Sequence, residues 1–193
     1  MEACEKKDYD FIVLGSHGKK GIQKWLGSVS QEVASVAKIS TYISKDRNDS
    51  KKVLFAIDSL ENNSNVITKC LDLFDFTNKE VYLTTVYEVP DYLFLEGNID
   101  SNWMLDISKK QETAAMFLLN KCEKMFNERG VNVSHKDILS GTPSQEIIKY
   151  TSREGIDLVV CGIRERNQLS KFLLSSVSKR VLENVKADVL IVR

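Results

Sequence analysis

One stretch near the start of the chain, DFIVLGSHGKKGIQKWLGSVS from Asp10 to Ser30, decides how the rest is organised. Its apolar run FIVLG is typical of a buried strand, and the glycine-containing loop after it leads to LGSVSQEVASVAK, whose apolar residues recur at helical spacing. STYISK, which follows, has the composition of a strand. A strand, loop and helix in this order usually lie deep inside a domain, after other strands have been laid down.

The same pattern recurs near the other end of the chain. DFIVLGSHG matches DLVVCGIRE, which begins at Asp157, with aspartate, valine and glycine identical at corresponding positions. After the loop, LGSVSQEV matches LSSVSKRV, and the offset grows from 147 to 148 residues. An internal repeat marks a duplicated structural unit. We therefore predict that residues 1–45 correspond to the last third of a domain, that 46–51 form a linker, and that 52–193 contain a complete copy.

Strand and helix patterns alternate through the complete copy. The predicted strands are KVLFAID, EVYLTTVYEV, VNVSHKDIL, IDLVVCG and ADVLIV, and PDYLFLEGNIDSNW is expected to be a long loop. One of the intervening helices follows Thr142, a candidate N-cap, with Pro143 in its first turn. Strands that alternate with helices pair in parallel through right-handed crossovers. The sequence thus predicts an α/β fold with an open five-stranded parallel sheet and helices on both of its faces.

Glycines and serines in the two matching loops resemble the signature of the universal stress protein (UspA-like) family, which is G-x-x-G, nine residues, then G-S or G-T. GSHG followed by LGS carries this resemblance in the first copy. In the second copy it rests on the strand that ends at Asp58, the GTP turn at Gly141, and DLVVCG. The resemblance implies a doubly wound sheet with strand order 3-2-1-4-5, to which residues 1–45 add a βαβ remnant of a second copy. Many members of this family bind ATP, whereas others bind no nucleotide and act as regulators or scaffolds.

The resemblance also implies where a nucleotide would bind. In open parallel sheets, ligands bind beyond the strand carboxyl ends where the strand order reverses. In ATP-binding members the first-strand aspartate hydrogen-bonds the nucleoside, while glycine backbones and a helix N-terminus approach the phosphates. Carried over to this sequence, the candidate cofactor-binding residues are Ala56, Asp58, Val86, Cys161, Gly162, Ser175, Ser176 and Val177.

This sequence departs from the family pattern inside that site. Glu165 stands at the second glycine and Ser175 at the third, and DSLENN replaces the usual glycine-serine after the first-strand aspartate. A carboxylate about 4 Å from a phosphate repels it by about 1 kcal/mol in water and about 4 kcal/mol at a partly shielded site. We therefore expect a degraded nucleotide site, with ATP as a possible ligand and no metal except Mg²⁺ bound with the nucleotide.

Structural interpretations stand beside these ligand-binding ones. Asp58 can cap the helix that follows it instead of binding a ligand. Ser175 and Ser176 can simply begin a helix, and Cys161 can be a small core side chain. The first copy keeps Gly15, Gly18, Gly27 and Ser28, but it lacks the first strand and hence half of the crevice.

Composition narrows the classes of partner. Lys plus Arg and Asp plus Glu each number 27, so the formal net charge is zero. Nucleic acids and anionic membranes bind proteins that carry an excess of basic residues, so neither is expected as a partner of this chain. No apolar run reaches the roughly 18 residues of a membrane span, and MEACEKKDYD lacks the apolar core of a secretion signal. Four widely spaced cysteines without a C-x-x-C pair indicate reduced thiols and a cytoplasmic location.

No catalytic arrangement is visible in the sequence, since no Ser-His-Asp or Cys-His set with a plausible base can be assembled. We therefore expect a non-enzymatic stress-response or regulatory protein that acts through partner binding and dimer-like association. The alternative hypothesis is an ATP-binding universal stress protein that acts as a nucleotide sensor.

The short first copy must dock on something, because about 40–60 residues hardly bury a core of their own. Family dimers and tandem repeats commonly join through the last strand, and VLIV (Val189 to Val192) has no charge to protect its edge. We predict that TYIS (Thr41 to Ser44) pairs with VLIV in the same chain or in a second one. A homodimer or higher oligomer through the last strand is therefore expected. The open edge of Phe11–Leu14 also favours self-association.

Overall fold

The computed structural model describes residues 9–16, 27–45, 50–88, 101–163 and 174–193, without the side chains of 101–104. The strands in these ranges are β1 (Phe11–Gly15), β2 (Ser40–Ser44), β3 (Lys52–Ile57), β4 (Glu80–Tyr87), β5 (Val133–Ser140), β6 (Leu158–Gly162) and β7 (Asp188–Val192). The helices are α1 (Ser28–Val36), α2 (Leu60–Leu73), α3 (Ser101–Asn127), α4 (Pro143–Glu154) and α5 (Ser176–Asn184).

The described strands form one seven-stranded sheet in the order β1-β2-β7-β6-β3-β4-β5. All neighbours are parallel except β2 and β7, which are antiparallel. Helices α2 and α3 bury one face of this sheet, and α1, α4 and α5 bury the other. The α/β architecture with a mostly parallel sheet is thus confirmed. The first copy does not form a separate unit, because β1 and β2 extend the sheet of the second copy.

Local chemistry sets several helix boundaries. Gly155 ends α4 with a φ of 65°, in the left-handed region that glycine adopts without strain. Thr142 occupies the N-cap position of α4 as predicted, but its side chain makes no capping hydrogen bond. The expected loop PDYLFLEGNIDSNW is wrong at its end, because α3 already begins at Ser101. The first part of that loop lies outside the described residues.

The two copies of the repeat have the same local structure. In both, a five-residue strand is followed by a nine-residue helix and a second five-residue strand that pairs in parallel with the first. In each copy, a serine near the start of the helix also donates a hydrogen bond to the carbonyl at the end of the preceding strand. Ser30 Oγ donates to the Gly15 carbonyl at 3.0 Å, and Ser178 Oγ donates to the Gly162 carbonyl at 3.1 Å.

TYIS pairs with VLIV inside one chain. The registers are Thr41 with Ile191, Tyr42 with Leu190, and Ile43 with Val189. In the repeat, Thr41, Tyr42 and Ile43 correspond to Val189, Leu190 and Ile191. Exchanging the two copies therefore turns the first pair into the third and leaves the Tyr42–Leu190 pair unchanged. A local two-fold axis therefore passes through the Tyr42–Leu190 pair. Because β6 and β2 lie on its two sides, β7 has a neighbouring strand at each edge.

A buried polar cluster lies where β2 leaves this junction. Asp188 belongs to β7 and is 1% exposed, and Lys45, which follows β2, is 4% exposed. The Asp188 carboxylate accepts hydrogen bonds from Tyr42 Oη at 2.7 Å and from the Lys45 backbone N–H at 2.6 Å. Lys45 Nζ donates to the carbonyls of Leu182 at 2.5 Å and Val185 at 2.8 Å, at the end of α5. The cluster thus ties the first copy to a helix of the second.

The second copy makes the reciprocal contact. Arg193 corresponds to Lys45 in the repeat, and its Nη2 donates to the Ala34 carbonyl near the end of α1 at 2.6 Å. The Arg193 backbone N–H donates to Ser40 Oγ at 3.2 Å, just as the Lys45 N–H donates to Asp188. A cation at a helix C-terminus interacts favourably with the macrodipole and the last carbonyls. Each copy therefore supplies the cation that caps the other copy's helix.

Titration of Lys45 gives a test of this junction. Burial lowers the pKa of Lys45 to about 8, and Asp188 only partly opposes this effect. Between about pH 8 and the ordinary value of 10.5, the unfolded chain holds a proton that the folded chain has lost. Stability rises with pH wherever the unfolded state binds more protons. The free energy of unfolding should therefore increase across this range, by up to about 3 kcal/mol from Lys45.

The measurement is urea unfolding at pH 7, 9 and 10 for the wild-type protein and the Lys45→Met variant. The free energy of unfolding of the wild type should rise relative to that of the variant as pH rises. Burial also raises the pKa of Tyr42 to about 12, but Tyr42 is present in both proteins, so its titration cancels in the comparison. Lys38→Met changes an exposed lysine of the same segment, and its free energy of unfolding should change with pH as that of the wild type does. A difference in the free energy of unfolding that stays constant from pH 7 to pH 10 contradicts the burial of Lys45.

Candidate functional site

The structure brings most of the predicted site residues to one edge of the sheet. Ala56 on β3 and Cys161 on β6 are register partners, and Asp58 and Gly162 lie at the carboxyl ends of the same two strands. Val86 is on β4, one residue beyond the partner of Ile57. The remaining candidates begin α5 and lie near Gly162 through the Ser178 hydrogen bond; these are Ser175, Ser176 and Val177. The described structure thus places the reversal of strand order between β3 and β6, at the position expected for the crevice.

Asp58 is held by the first turn of α2. Asn63 Nδ2 donates to Asp58 Oδ1 at 2.6 Å, and Asn62 Nδ2 donates to Asp58 Oδ2 at 3.0 Å. Ser59 is the N-cap of α2, because its Oγ accepts the Asn62 backbone N–H at 3.2 Å. The suggestion that Asp58 caps this helix is therefore wrong in its detail. The two amides orient a carboxylate that stays exposed at the crevice, where it can accept a ligand's donor.

Asn62 and Asn63 are the residues that sequence reasoning missed. They belong to DSLENN, the stretch that departs from the family pattern after the first-strand aspartate. Their spacing of four and five residues after Asp58 corresponds to about one helical turn, so both amides can reach back to the carboxylate. Asn63 is buried and also donates to the Ser59 carbonyl at 2.9 Å, which fixes its side chain.

Gly162 has a structural role that requires no ligand. A Cβ placed on Gly162 would lie 2.8 Å from Cγ2 of Val66, a core residue of α2. That distance is shorter than van der Waals contact, so the glycine allows α2 to pack closely on the end of β6. The resemblance assigns Gly162 to the close approach of the backbone to a phosphate. In this structure the same glycine also allows α2 to pack on β6.

Several other candidates have ordinary structural roles. Cys161 is buried, and burial raises the pKa of its thiol to about 12, which leaves it protonated and unreactive. Ser175 is the N-cap of α5 and accepts the Ser178 backbone N–H at 3.0 Å. Ala56 and Val86 are half-buried against the core on the α4 and α5 side. These residues form the walls of the crevice without contributing a reactive group.

The loop that would face a phosphate lies outside the described residues. It includes Arg164 and Glu165, so the expected repulsion by Glu165 stays a prediction. The same holds for Gly18 and most of the loop in the first copy. Within the described ranges, no group of three or more histidine, cysteine or acidic side chains is placed to hold a metal. None of the helices described is long and apolar enough to cross a membrane.

The fold defines a doubly wound α/β protein in which the strand order reverses between β3 and β6. The profile of the universal stress protein family matches residues 1–45 and 50–193. The chain therefore belongs to the universal stress protein family.

Known proteins support this assignment. A universal stress protein from Methanocaldococcus jannaschii is 28% identical over 155 residues, which cover 80% of this chain and 89% of that protein. A universal stress protein structure from Archaeoglobus fulgidus is 23% identical with a TM-score of 0.62, and the match covers 100% of this chain and 63% of the longer one. A family protein from Arabidopsis thaliana, solved with AMP bound, is 16% identical with a TM-score of 0.55, over 74% of this chain and 90% of that one.

The packing role of Gly162 yields a prediction. Gly162→Ala should lower the free energy of unfolding by about 1–3 kcal/mol, because the new methyl group overpacks against Val66. Val66→Ala removes the clashing atoms, so the double variant should be less destabilised than the sum of the two single variants. Chemical unfolding of all four proteins measures this coupling in a double-mutant cycle. Strictly additive effects would show that α2 does not press on Gly162.

Proposed function

We propose that this chain is a non-enzymatic, regulatory stress-response protein that acts by association with other chains. The observation that carries this proposal is the junction of β2 with β7. Its local two-fold register and reciprocal cation–carbonyl contacts are those of a subunit interface, here made within one chain. No reactive side chain is found among the described residues of the crevice, where the thiol of Cys161 is kept neutral.

We further propose that residues 1–45 stand in for the last third of a second universal stress protein domain. The matching strand and helix lengths and the paired serine hydrogen bonds support this. The expected oligomer through the last strand would have to displace β2, because β7 is flanked by strands on both sides. We therefore place association elsewhere on the surface, with a second copy or another protein as partner. Free buried thiols at Cys70, Cys122 and Cys161 support a cytoplasmic location.

The association proposal is tested by sedimentation velocity from low micromolar to near-millimolar protein, with ATP and Mg²⁺ incubated in the same samples. We expect reversible self-association and no ADP above the buffer blank. A strict monomer that binds no protein partner contradicts the proposal. So does ATP turnover that is lost in the Asp58→Ala variant, because it would make the protein an enzyme.

A second candidate function is adenine-nucleotide binding at the Asp58 crevice, as in a nucleotide sensor. The AMP-bound Arabidopsis relative favours it, and so does the orientation of the Asp58 carboxylate by Asn62 and Asn63. Hydrogen bonds to a charged group contribute about 1.5–3 kcal/mol, so the carboxylate can recognise a hydroxyl or amine of the nucleoside. Its negative charge gives it no attraction for the phosphates.

Asp58→Ala should therefore weaken AMP and ATP binding by about 10–100-fold, corresponding to the loss of such a hydrogen bond. Titration calorimetry measures the affinities, and chromatography of denatured protein shows whether nucleotide is carried through purification. Glu61→Ala is the matched control, because it removes an exposed carboxylate from the same helical turn. Equal losses in the two variants, or no binding at millimolar nucleotide, would exclude a specific role for Asp58.

A further inference from the structure

Asn63, in the first turn of α2, is a buried polar side chain whose amide has a fixed orientation. It is 3% exposed, and both hydrogens of its amide nitrogen are in use. Nδ2 donates to Asp58 Oδ1 at 2.6 Å and to the Ser59 carbonyl at 2.9 Å. An ionised carboxylate and a backbone carbonyl only accept hydrogen bonds, so exchanging the amide nitrogen and oxygen would leave both partners facing an acceptor. The position of the amide oxygen, Oδ1, is thereby set.

Oδ1 of Asn63 lies between the carboxyl ends of β3 and β6, where the strand order reverses. It is 4.0 Å from the point that a Cβ on Gly162 would occupy. Within the described part of the chain, no group donates a hydrogen bond to this oxygen, and it is not enclosed, since Asn63 contributes none of the solvent-inaccessible polar atoms that lack a partner. Buried polar side chains ordinarily have their hydrogen-bonding groups paired. An open acceptor on an otherwise buried side chain is therefore available to a ligand.

Two acceptors of different kinds are adjacent at this point. The Asp58 carboxylate is exposed, and the Asn63 amide that donates to it carries Oδ1 on the same group. Two adjacent acceptors suit a ligand with two adjacent donors, such as the vicinal hydroxyls of a ribose. The resemblance places the phosphates beside Gly162 and the start of α5. In a nucleotide the ribose is joined directly to the phosphate, whereas the base is farther away, so the ribose is the part of the ligand expected at Asn63.

We propose that Asn63 is a specificity-determining residue that selects ribonucleotides over deoxyribonucleotides. Its Oδ1 accepts a hydrogen bond from one ribose hydroxyl, and the Asp58 carboxylate accepts one from the other. A site that hydrogen-bonds a hydroxyl rejects the analogue that lacks it, because a polar group of the protein then stays unpaired. This inference rests on the proposed nucleotide binding at the Asp58 crevice and names the sugar that the crevice selects and the residue that selects it.

Titration calorimetry with AMP, 2′-deoxy-AMP and 3′-deoxy-AMP tests this inference, first on the wild-type protein. Each deoxynucleotide should bind about tenfold more weakly than AMP, corresponding to one lost hydrogen bond. In Asn63→Ala one of these two losses should disappear, because Oδ1 is gone. Asn62→Ala is the matched control, since it removes the other amide that donates to Asp58 but leaves Oδ1 in place. It should weaken the binding of all three nucleotides and keep both losses. Thermal unfolding verifies that the variants are folded, and the wild-type comparison requires no variant.

Inosine monophosphate, which has an oxygen in place of the amine of adenine, separates the sugar from the base. Its affinity relative to AMP should be the same in the wild type and in Asn63→Ala. A preference for AMP over inosine monophosphate that Asn63→Ala abolishes would make the base amine the donor and overturns this inference. Equal wild-type affinities for AMP and both deoxynucleotides, or losses that Asn63→Ala leaves unchanged, overturn it while the proposed nucleotide binding stands. A wild-type protein that binds no nucleotide at millimolar concentration overturns both.

Discussion

The antiparallel junction of β2 and β7, with Lys45 and Asp188 buried beside it, is the constraint on which the rest of the structure depends. Residues 9–45 supply two strands and one helix in the described ranges, too little to enclose a core of their own. They are ordered because they complete the sheet and helix layer of the second copy. The Asp188 carboxylate accepts the Tyr42 hydroxyl and the Lys45 backbone N–H, and the Lys45 ammonium donates to two carbonyls at the end of α5. A buried charge that loses its hydrogen-bond partners is costly. Any slip of β2 along β7 would break these hydrogen bonds, so they select the register.

The register of this junction also links the first copy to the crevice. β7 pairs with β6, and the end of β6 holds α5 through Ser178 and accommodates α2 at Gly162. The first turn of α2 in turn holds Asp58 through Asn62 and Asn63. The geometry of the crevice is therefore set by tight backbone and side-chain contacts inside the second copy. The first copy repeats this hydrogen bond between Ser30 and Gly15, and its described residues include no counterpart of β3 or of Asp58.

The sequence allowed much of this organisation to be predicted because the relevant signals are local. The apolar runs of β3, β4, β6 and β7 and the repeat between the two copies are visible without coordinates. The pairing of TYIS with VLIV followed from an unprotected edge, but whether it lay within one chain or between two stayed open. That choice depends on where a short linker allows β2 to reach, which no local pattern contains.

The polar details were less predictable, for a physical reason. Lys45 and Arg193 follow the ends of strands, where lysine and arginine are ordinarily solvated, and only the docked helix ends make them buried caps. The hydrogen bonds of Lys45 link positions about 140 residues apart, so sequence spacing gives no sign of them. Asparagine is common at protein surfaces, and the roles of Asn62 and Asn63 depend on the direction of one nearby carboxylate.

Gly162 shows why a family motif does not by itself define a ligand site. A glycine at the end of β6 is needed for nucleotide approach in the implied family site, but here it is equally needed for the close packing of Val66. Loss of nucleotide binding would not release this position from its packing constraint, so the glycine would persist. Asp58 differs, because its carboxylate is exposed, although one of the two amides that hold it, Asn63, is buried. Substitution of Asp58 is therefore a more specific test of the proposed nucleotide binding than substitution of the glycine.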